Sequence, residues 1–325
     1  MRYNNTTNIP LSIAAWLADD TYDYDPDSNV ISATGLMKPI RAILLSRTMQ
    51  IQQENDLSDF IASKVGSSVH DGIEDTWRNR AGPALKKMGY PESVWNNIII
   101  NPEPADRNQP GKIDVFVEVR GKKPLNSFII SGKFDFVAEG QLEDFKNKKV
   151  WAWIFGSDDT DFIIQGSIYR WLHPDIITED TIAINYIFTD WNRIKAATEK
   201  DYPSSQIKQK KFPLMSMAET ERWITDRTNQ IKQFLGKPQA EMPECSKSEL
   251  WQRDSVWKYY KDPNKRTRST KNFDNPLAAN SHCAKLGVGI VIEVPGEVKR
   301  CHYCSAAPAC LQREELELNG MLKPL

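Results

Sequence analysis

The sequence has no cysteine before Cys245. It has no export-signal pattern at its start, no internal repeat and no low-complexity segment. It has no apolar run long enough to cross a bilayer. Neither charge is in surplus: the net charge is -1. Each absence excludes something. A spanning helix needs about 20 apolar residues, so no membrane partner is expected. Without a signal peptide the chain is expected to work inside a cell. A balanced charge excludes a globally basic coat, so any nucleic-acid surface must be local. What remains is an ordinary globular composition. The 325 residues are 40% hydrophobic and 26% charged, enough for one or two domains.

Phe128 to Ala138 is apolar and aromatic and reads as a strand. Glu139-Gly140-Gln141 reads as a turn, and Leu142 to Lys146 as a return strand. Side chains two apart on a strand share a face. Asp144 and Lys146 therefore project together, Phe145 points the other way, and Asp135 approaches from the preceding strand. Two carboxylates can hold a hard divalent cation such as Mg²⁺. A lysine beside it can orient water or neutralise developing charge. The plainer alternative is an exposed hairpin with a weak surface ion pair. A near-copy, Gly111-Lys112-Ile113-Asp114, is followed by Glu118-Val119-Arg120 and lacks the lysine, so Asp135 is preferred over Asp114.

Around this hairpin the chain reads in order. An acidic segment, Asp19, Asp20, Asp23, Asp25 and Asp27, is expected to be solvated. Leu36 to Ser46 suggests a short amphipathic helix. Leu57 to about Arg80 suggests a longer one, N-capped by Asp56, with His70, Glu74 and Trp77 on one face. Trp95 to Ile100 and Ile113 to Val119 read as strands. A helix capped by Asp158 or Thr160 runs to about Leu172 and puts Gln165 and Tyr169 one turn apart. Residues 181–190 read as a strand and 219–235 as a helix. KPQAEMPE then marks a boundary, giving domains 1–236 and 237–325.

GSSVHDGIE, GKFD, EDFK and QGSIY follow one another as His, Asp, Asp-x-Lys and Gln-x-x-x-Tyr. The ordered set, over roughly 66–172, resembles RecB-type nucleases of the PD-(D/E)XK superfamily. The resemblance implies an α/β fold, a mixed central sheet flanked by helices. It implies a DNA exonuclease that uses Mg²⁺ or Mn²⁺. His70, Asp135 and Asp144 would hold the metal with the carbonyl of Phe145, and Lys146 would act on the water. Gln165 and Tyr169 would position the site or the DNA strand, and Glu74 would be an extra contact. DNA, single-stranded or with duplex ends, would be the partner, beside a recombinase or helicase. The alternative is a catalytically silent nucleic-acid-binding protein that kept the fold.

The five cysteines are Cys245, Cys283, Cys301, Cys304 and Cys310. An intracellular chain of this size needs no disulfides, so metal binding is expected. Four thiolates suit zinc or an iron–sulfur cluster. Cys301-x2-Cys304-x5-Cys310 near the end resembles the 4Fe–4S staple of AddB and of the CRISPR-associated adaptation exonucleases. There the fourth cysteine precedes the nuclease motifs; here it must be Cys245 or Cys283. Cys245 is preferred. It follows Pro243 and is expected to open an aromatic-rich helix from Ser248, whose N–H groups would favour the thiolate. Cys283 reads as a packing residue in a helix ending at Gly287, although neighbouring His282 could help it draw zinc. The PGEVKRCHYC phrase also resembles exonucleases of tailed bacteriophages, which would place the protein in host cytoplasm. Residues 261–271 carry Lys265, Arg266 and Arg268, and Trp257, Tyr259, Tyr260 and Phe273 flank them as candidate stacking residues. Lys148 and Lys149 could add phosphate contacts.

Overall fold

The computed structural model describes residues 3–20, 25–49, 55–156 and 159–323. In chain order the elements used below are β1 (Val30–Ser32), α1 (Ile40–Thr48), α2 (Ile61–Lys87), β2 (Ile98–Ile100), β3 (Ile113–Leu125), β4 (Phe128–Ala138) and β5 (Gln141–Lys148). Then come α3 (Val150–Phe155), α4 (Asp159–Leu172), β6 (Thr181–Phe188), β7 (Ile207–Pro213) and α5 (Met217–Phe234). The last are β8 (Val256–Tyr260), β9 (Lys271–Phe273), α6 (Pro276–Leu286), β10 (Ile290–Val294) and α7 (Leu311–Leu318). They form two compact units. One is Met1–Met37 with Glu54–Asn229; the other is Lys38–Gln53 with Gln230–Leu325. The expected cut after 236 lies close to the observed one after Asn229. The segment 38–53, however, belongs with the second unit. One tie is Arg41, whose Nη1 and Nη2 donate to the Gln239 carbonyl.

The first unit is built on a mixed seven-stranded sheet in the order β2-β3-β4-β5-β6-β7, with β1 added on β4. The expected α/β class, a mixed central sheet flanked by helices, is what the chain forms. Ile130, Phe134, Val137, Leu142, Ile182 and Ile184 are fully buried in it. β3 pairs antiparallel with β4 along nearly its whole length. The other edge of β4 is divided. β1 takes Ile129–Ser131 in parallel, and β5 takes Phe136–Ala138 in antiparallel register. Among the described residues the edge is open between them, from Gly132 to Asp135.

The β4–β5 hairpin closes as its sequence demands. Glu139 and Gly140 both have positive φ, +50° and +77°, the mark of a two-residue hairpin turn. Only glycine fits at 140, because a Cβ there would overlap the Thr178 hydroxyl. Asp56 does cap a helical run. Its carboxylate accepts from Ser58 N–H in a capping box with Asp59, opening a short 3₁₀ turn that leads into α2.

Several expectations need correcting. Trp95 lies in a helical turn, Glu92–Trp95, and the strand begins at Ile98. The segment 36–46 is not one amphipathic helix. Pro39 separates Ala33–Leu36 from α1, and α1 buries Ile40 through Leu45, Arg41 included. Asp158 lies outside the described residues, and Thr160 sits inside the first turn of α4. Of the acidic segment, Asp23 lies outside the described residues. Asp25 is not simply solvated; it pairs with Lys122.

The second unit carries an antiparallel three-stranded sheet, β9-β8-β10. No helix starts at Ser248. Residues 247–251 form turns, and Trp257 belongs to β8. Ser246 accepts a hydrogen bond from Glu249 N–H as a cap would, but the coil ends at Trp251, which takes a left-handed φ of +50°. α6 ends as expected, with Gly287 at φ +63°.

Candidate functional site

His70, in the middle of α2, lies against the hairpin, its ring edge-on to Phe145 at 5.8 Å. Its Nε2 donates to the Phe145 carbonyl at 3.0 Å. Its Nδ1 lies 3.5 Å from Asp135 Oδ1 and 3.7 Å from Glu118 Oε1. One ligand atom from each of His70, Glu118 and Asp135 falls within 4.8 Å of the others. Burial pulls the imidazole pKa down. The Asp135 and Glu118 carboxylates more than reverse that pull and lift it to about 10.

Asp135 sits at the open edge of β4. The ladder to β5 stops at Phe136–Glu143, and Phe145 N–H donates to Asp135 Oδ2 instead, at 2.9 Å. His70 and Asp135 thus hold both backbone groups of Phe145. The Phe145 carbonyl, implied as a metal contact, faces His70 here.

Asp144 is 1% exposed, and neither of its oxygens accepts a hydrogen bond. Its contact is the Lys146 ammonium, 2.6 Å from Oδ2 as an ion pair outside hydrogen-bond geometry. Burial raises its carboxyl and nearby Asp135 adds to the rise; Lys146 and His70 hold it back, and the result is about 6. The His70, Glu118 and Asp135 ligand atoms fit a hard divalent cation, while Asp144, its Oδ2 paired to Lys146, falls outside that group of three. Of the residues the sequence pointed to, His70 and Asp135 share one cluster, and Asp144 and Lys146 form an ion pair near it. Sequence reasoning passed over Glu118.

The motif starting at Asp114 was set aside because Glu118-Val119-Arg120 lacks the lysine, and Glu118 was set aside with it. Its place comes from cross-strand register instead. Val117 faces Phe136 and Val119 faces Phe134, so Glu118 stands opposite Asp135. Its φ of +51° is left-handed, a strained state for a strand residue. The strain is held from one side. Asn101 bonds both backbone groups of Val117, at 2.7 and 3.0 Å, and Arg78 Nη2 donates to the same carbonyl at 3.1 Å. Lys133, across the sheet, pairs with Glu118 Oε2 at 2.5 Å and supplies the lysine. Asp114 is elsewhere, accepting from Asn108 N–H.

The remaining candidates scatter. Glu74 pairs with Arg78 at 2.7 Å. Gln165 Nε2 donates to the Tyr169 hydroxyl at 2.8 Å, both residues buried on α4. The Tyr169 ring lies against Gly132, at the start of the open edge of β4. Lys148 is half-buried and Lys149 exposed where β5 ends. Lys265, Arg266 and Arg268 are exposed on the β8–β9 loop. Of its aromatic neighbours, Trp257 and Phe273 are half-buried. Tyr259 and Tyr260 are buried, and Phe273 packs on His282.

In the second unit Cys245, Cys301, Cys304 and Cys310 line one cavity, and Cys283 is outside it on α6. Gln312, 7% exposed, clamps Cys245. Its Oε1 accepts from Cys245 N–H at 2.9 Å and its Nε2 donates to Cys245 O at 3.0 Å. Gln239 reaches the same loop through Leu311 N–H and Ala309 O. Cys245 is not activated as expected. Burial pushes Cys245 up to about 12 and Cys301 up to about 11. Arg41, 5% exposed, also lines the cavity, and its Nε is buried without a hydrogen-bond partner. The four thiols share this lining, but no three of their sulfurs lie within 4.8 Å of one another.

No family model and no curated protein matches this chain. Among solved structures it is similar to SSO0001, at 15% identity and a TM-score of 0.38, over 66% of this chain and 82% of that one. No helix of the described residues is long and apolar enough to cross a membrane.

Proposed function

We propose that the first unit is a divalent-metal-dependent DNA exonuclease of the RecB-type kind, working in phage DNA recombination, repair or processing. We propose also that the second unit holds a structural 4Fe–4S cluster, with zinc as its alternative. One observation carries the nuclease reading. Ligand atoms of His70, Glu118 and Asp135 converge within 4.8 Å, beside a buried Asp144 paired to Lys146. The ordered motif series supports DNA as the substrate.

Bound Mg²⁺ or Mn²⁺ would supply Lewis acidity for a phosphodiester oxygen and for water. The chain's own residues supply the rest. Asp135 Oδ2 fixes the Phe145 amide, and with it the course of β5 through the site. Lys146 holds a positive charge where water attacks and phosphoryl charge develops. Hydrolysis forms one P–O bond to the water oxygen and breaks the one to the leaving oxygen, which receives the water's proton. Glu118, paired to Lys133, keeps His70 turned toward Asp135.

End-labelled single- and double-stranded DNA, linear and circular, tests this. Linear DNA should shorten from its ends with Mg²⁺ or Mn²⁺, circles should survive, and EDTA should stop the reaction. DNA binding without cleavage under any metal would instead mark a silent binding protein.

A further inference from the structure

Beyond Lys146 the catalytic strand runs through Lys148 and Lys149 straight into α3. That short helix is anchored on one side. Val150 is buried, and its N–H donates to Asp190 Oδ1 at 2.8 Å. Trp153 meets Tyr186 and Phe188 of β6 edge-on, with centroids 5.3 and 6.0 Å apart. What stays outside is Trp151, 59% exposed, and Phe155, 64% exposed. Four residues apart on a helix, they lie side by side. Their ring centroids are 5.1 Å apart and their planes tilted by 36°. Ile154 between them is exposed as well. Exposed large aromatics gathered on a fixed element mark a contact surface.

We propose that Trp151 and Phe155 are a stacking platform for the unpaired bases of a single-stranded nucleic acid, set beside the Asp144–Lys146 site. The proposal rests on the nuclease reading and names the form of substrate it grips. Three observations choose this occupant. The run from 148 to 155, KKVWAWIF, has two cations and no acid, so charge suits a phosphate backbone. The platform continues the strand that carries the proposed chemistry. Its two π-faces are held by an anchored backbone, and aromatic stacking is tolerant of sequence, as a strand-degrading enzyme needs. Duplex bases are already stacked on each other and cannot use it.

The test is binding without cleavage. Asp144→Asn protein is titrated with a fluorescent oligonucleotide, single-stranded or as its duplex. Adding Trp151→Leu and Phe155→Leu should weaken single-strand binding at least tenfold and leave duplex binding unchanged. Trp151→Phe, which keeps a ring, should restore most of the affinity. Unchanged single-strand binding by the double leucine variant overturns the platform. So does equal loss for both DNA forms, which would mark a general apolar contact. If wild type still cleaves DNA in either case, the nuclease reading stands and only the platform falls. If no DNA form is bound or cut, both fall.

Discussion

Asp144 shows what the site costs its fold. It is buried, its oxygens accept no hydrogen bond, and folding raises its pKa from 3.8 to about 6. An acid whose pKa rises on folding destabilises the native state above the folded pKa. The penalty fades as pH drops from about 6 toward 3.8, where the folded carboxyl takes up its proton first. Without added Mg²⁺ or Mn²⁺, Asp144→Asn should therefore melt higher than wild type at pH 8. The gap should narrow by pH 5. Thermal unfolding across that range checks it, and a variant that melts lower at pH 8 contradicts it. His70 works in the other direction. Its raised pKa contributes stability that is complete below about 6.5 and lost as pH passes about 10. Glu118 is the residue no motif revealed, and its test is separate. Glu118→Gln should raise the Mn²⁺ concentration needed for half-maximal cleavage by about tenfold, the scale of a lost supporting ligand. An unchanged metal requirement would remove Glu118 from the site.

At the scale of elements, the hairpin and α2 were legible because local signals suffice. Period-two apolar residues, an Glu-Gly turn and an Asp cap each act within a few positions. Glu118 was not legible, because its neighbour Asp135 is set by register between two strands, not by spacing along one. The expected helix after Cys245 failed for a related reason: an aromatic run cannot by itself separate a helix from turns and a strand. The choice of Cys245 over Cys283 rested partly on that helix and stays a proposal; Cys245 lines a cavity with Cys301, Cys304 and Cys310, and Cys283 does not. Gln312 and the shared cavity replace the helix as its ground. Cys245→Ser should lose bound metal, and Cys283→Ser should keep it, measured as metal per protein after anaerobic purification. The opposite result would move the fourth ligand to Cys283. The tyrosines beside the basic loop were misread because β8 is covered on both faces at its end, so the consecutive Tyr259 and Tyr260 are buried alike.

On the scale of the whole molecule, the proposed nuclease site and the proposed cysteine-held metal fall in different units. The first has a large sheet core. The second has a small apolar cluster, Leu250, Val298, Leu316 and Leu322, with Cys245 and Cys301 packed against it. Energy of metal binding at such a site is also folding energy. Stripping the cysteine-bound metal should open residues 230–325 to protease while the β-rich first unit resists. Simultaneous digestion of both units would show that the cluster is not a local support. Iron with sulfide, or zinc alone, in the untreated protein decides between the two metals.

The central claim is that the converged carboxylates and Lys146 perform metal-dependent hydrolysis. It is tested most directly by single-turnover cleavage of labelled DNA in Mn²⁺ by wild type, Asp144→Asn and Lys146→Ala, with folding and DNA binding checked for each. Both variants should bind DNA and cleave it at least about a hundredfold more slowly. Folded variants that cleave at the wild-type rate would contradict the account.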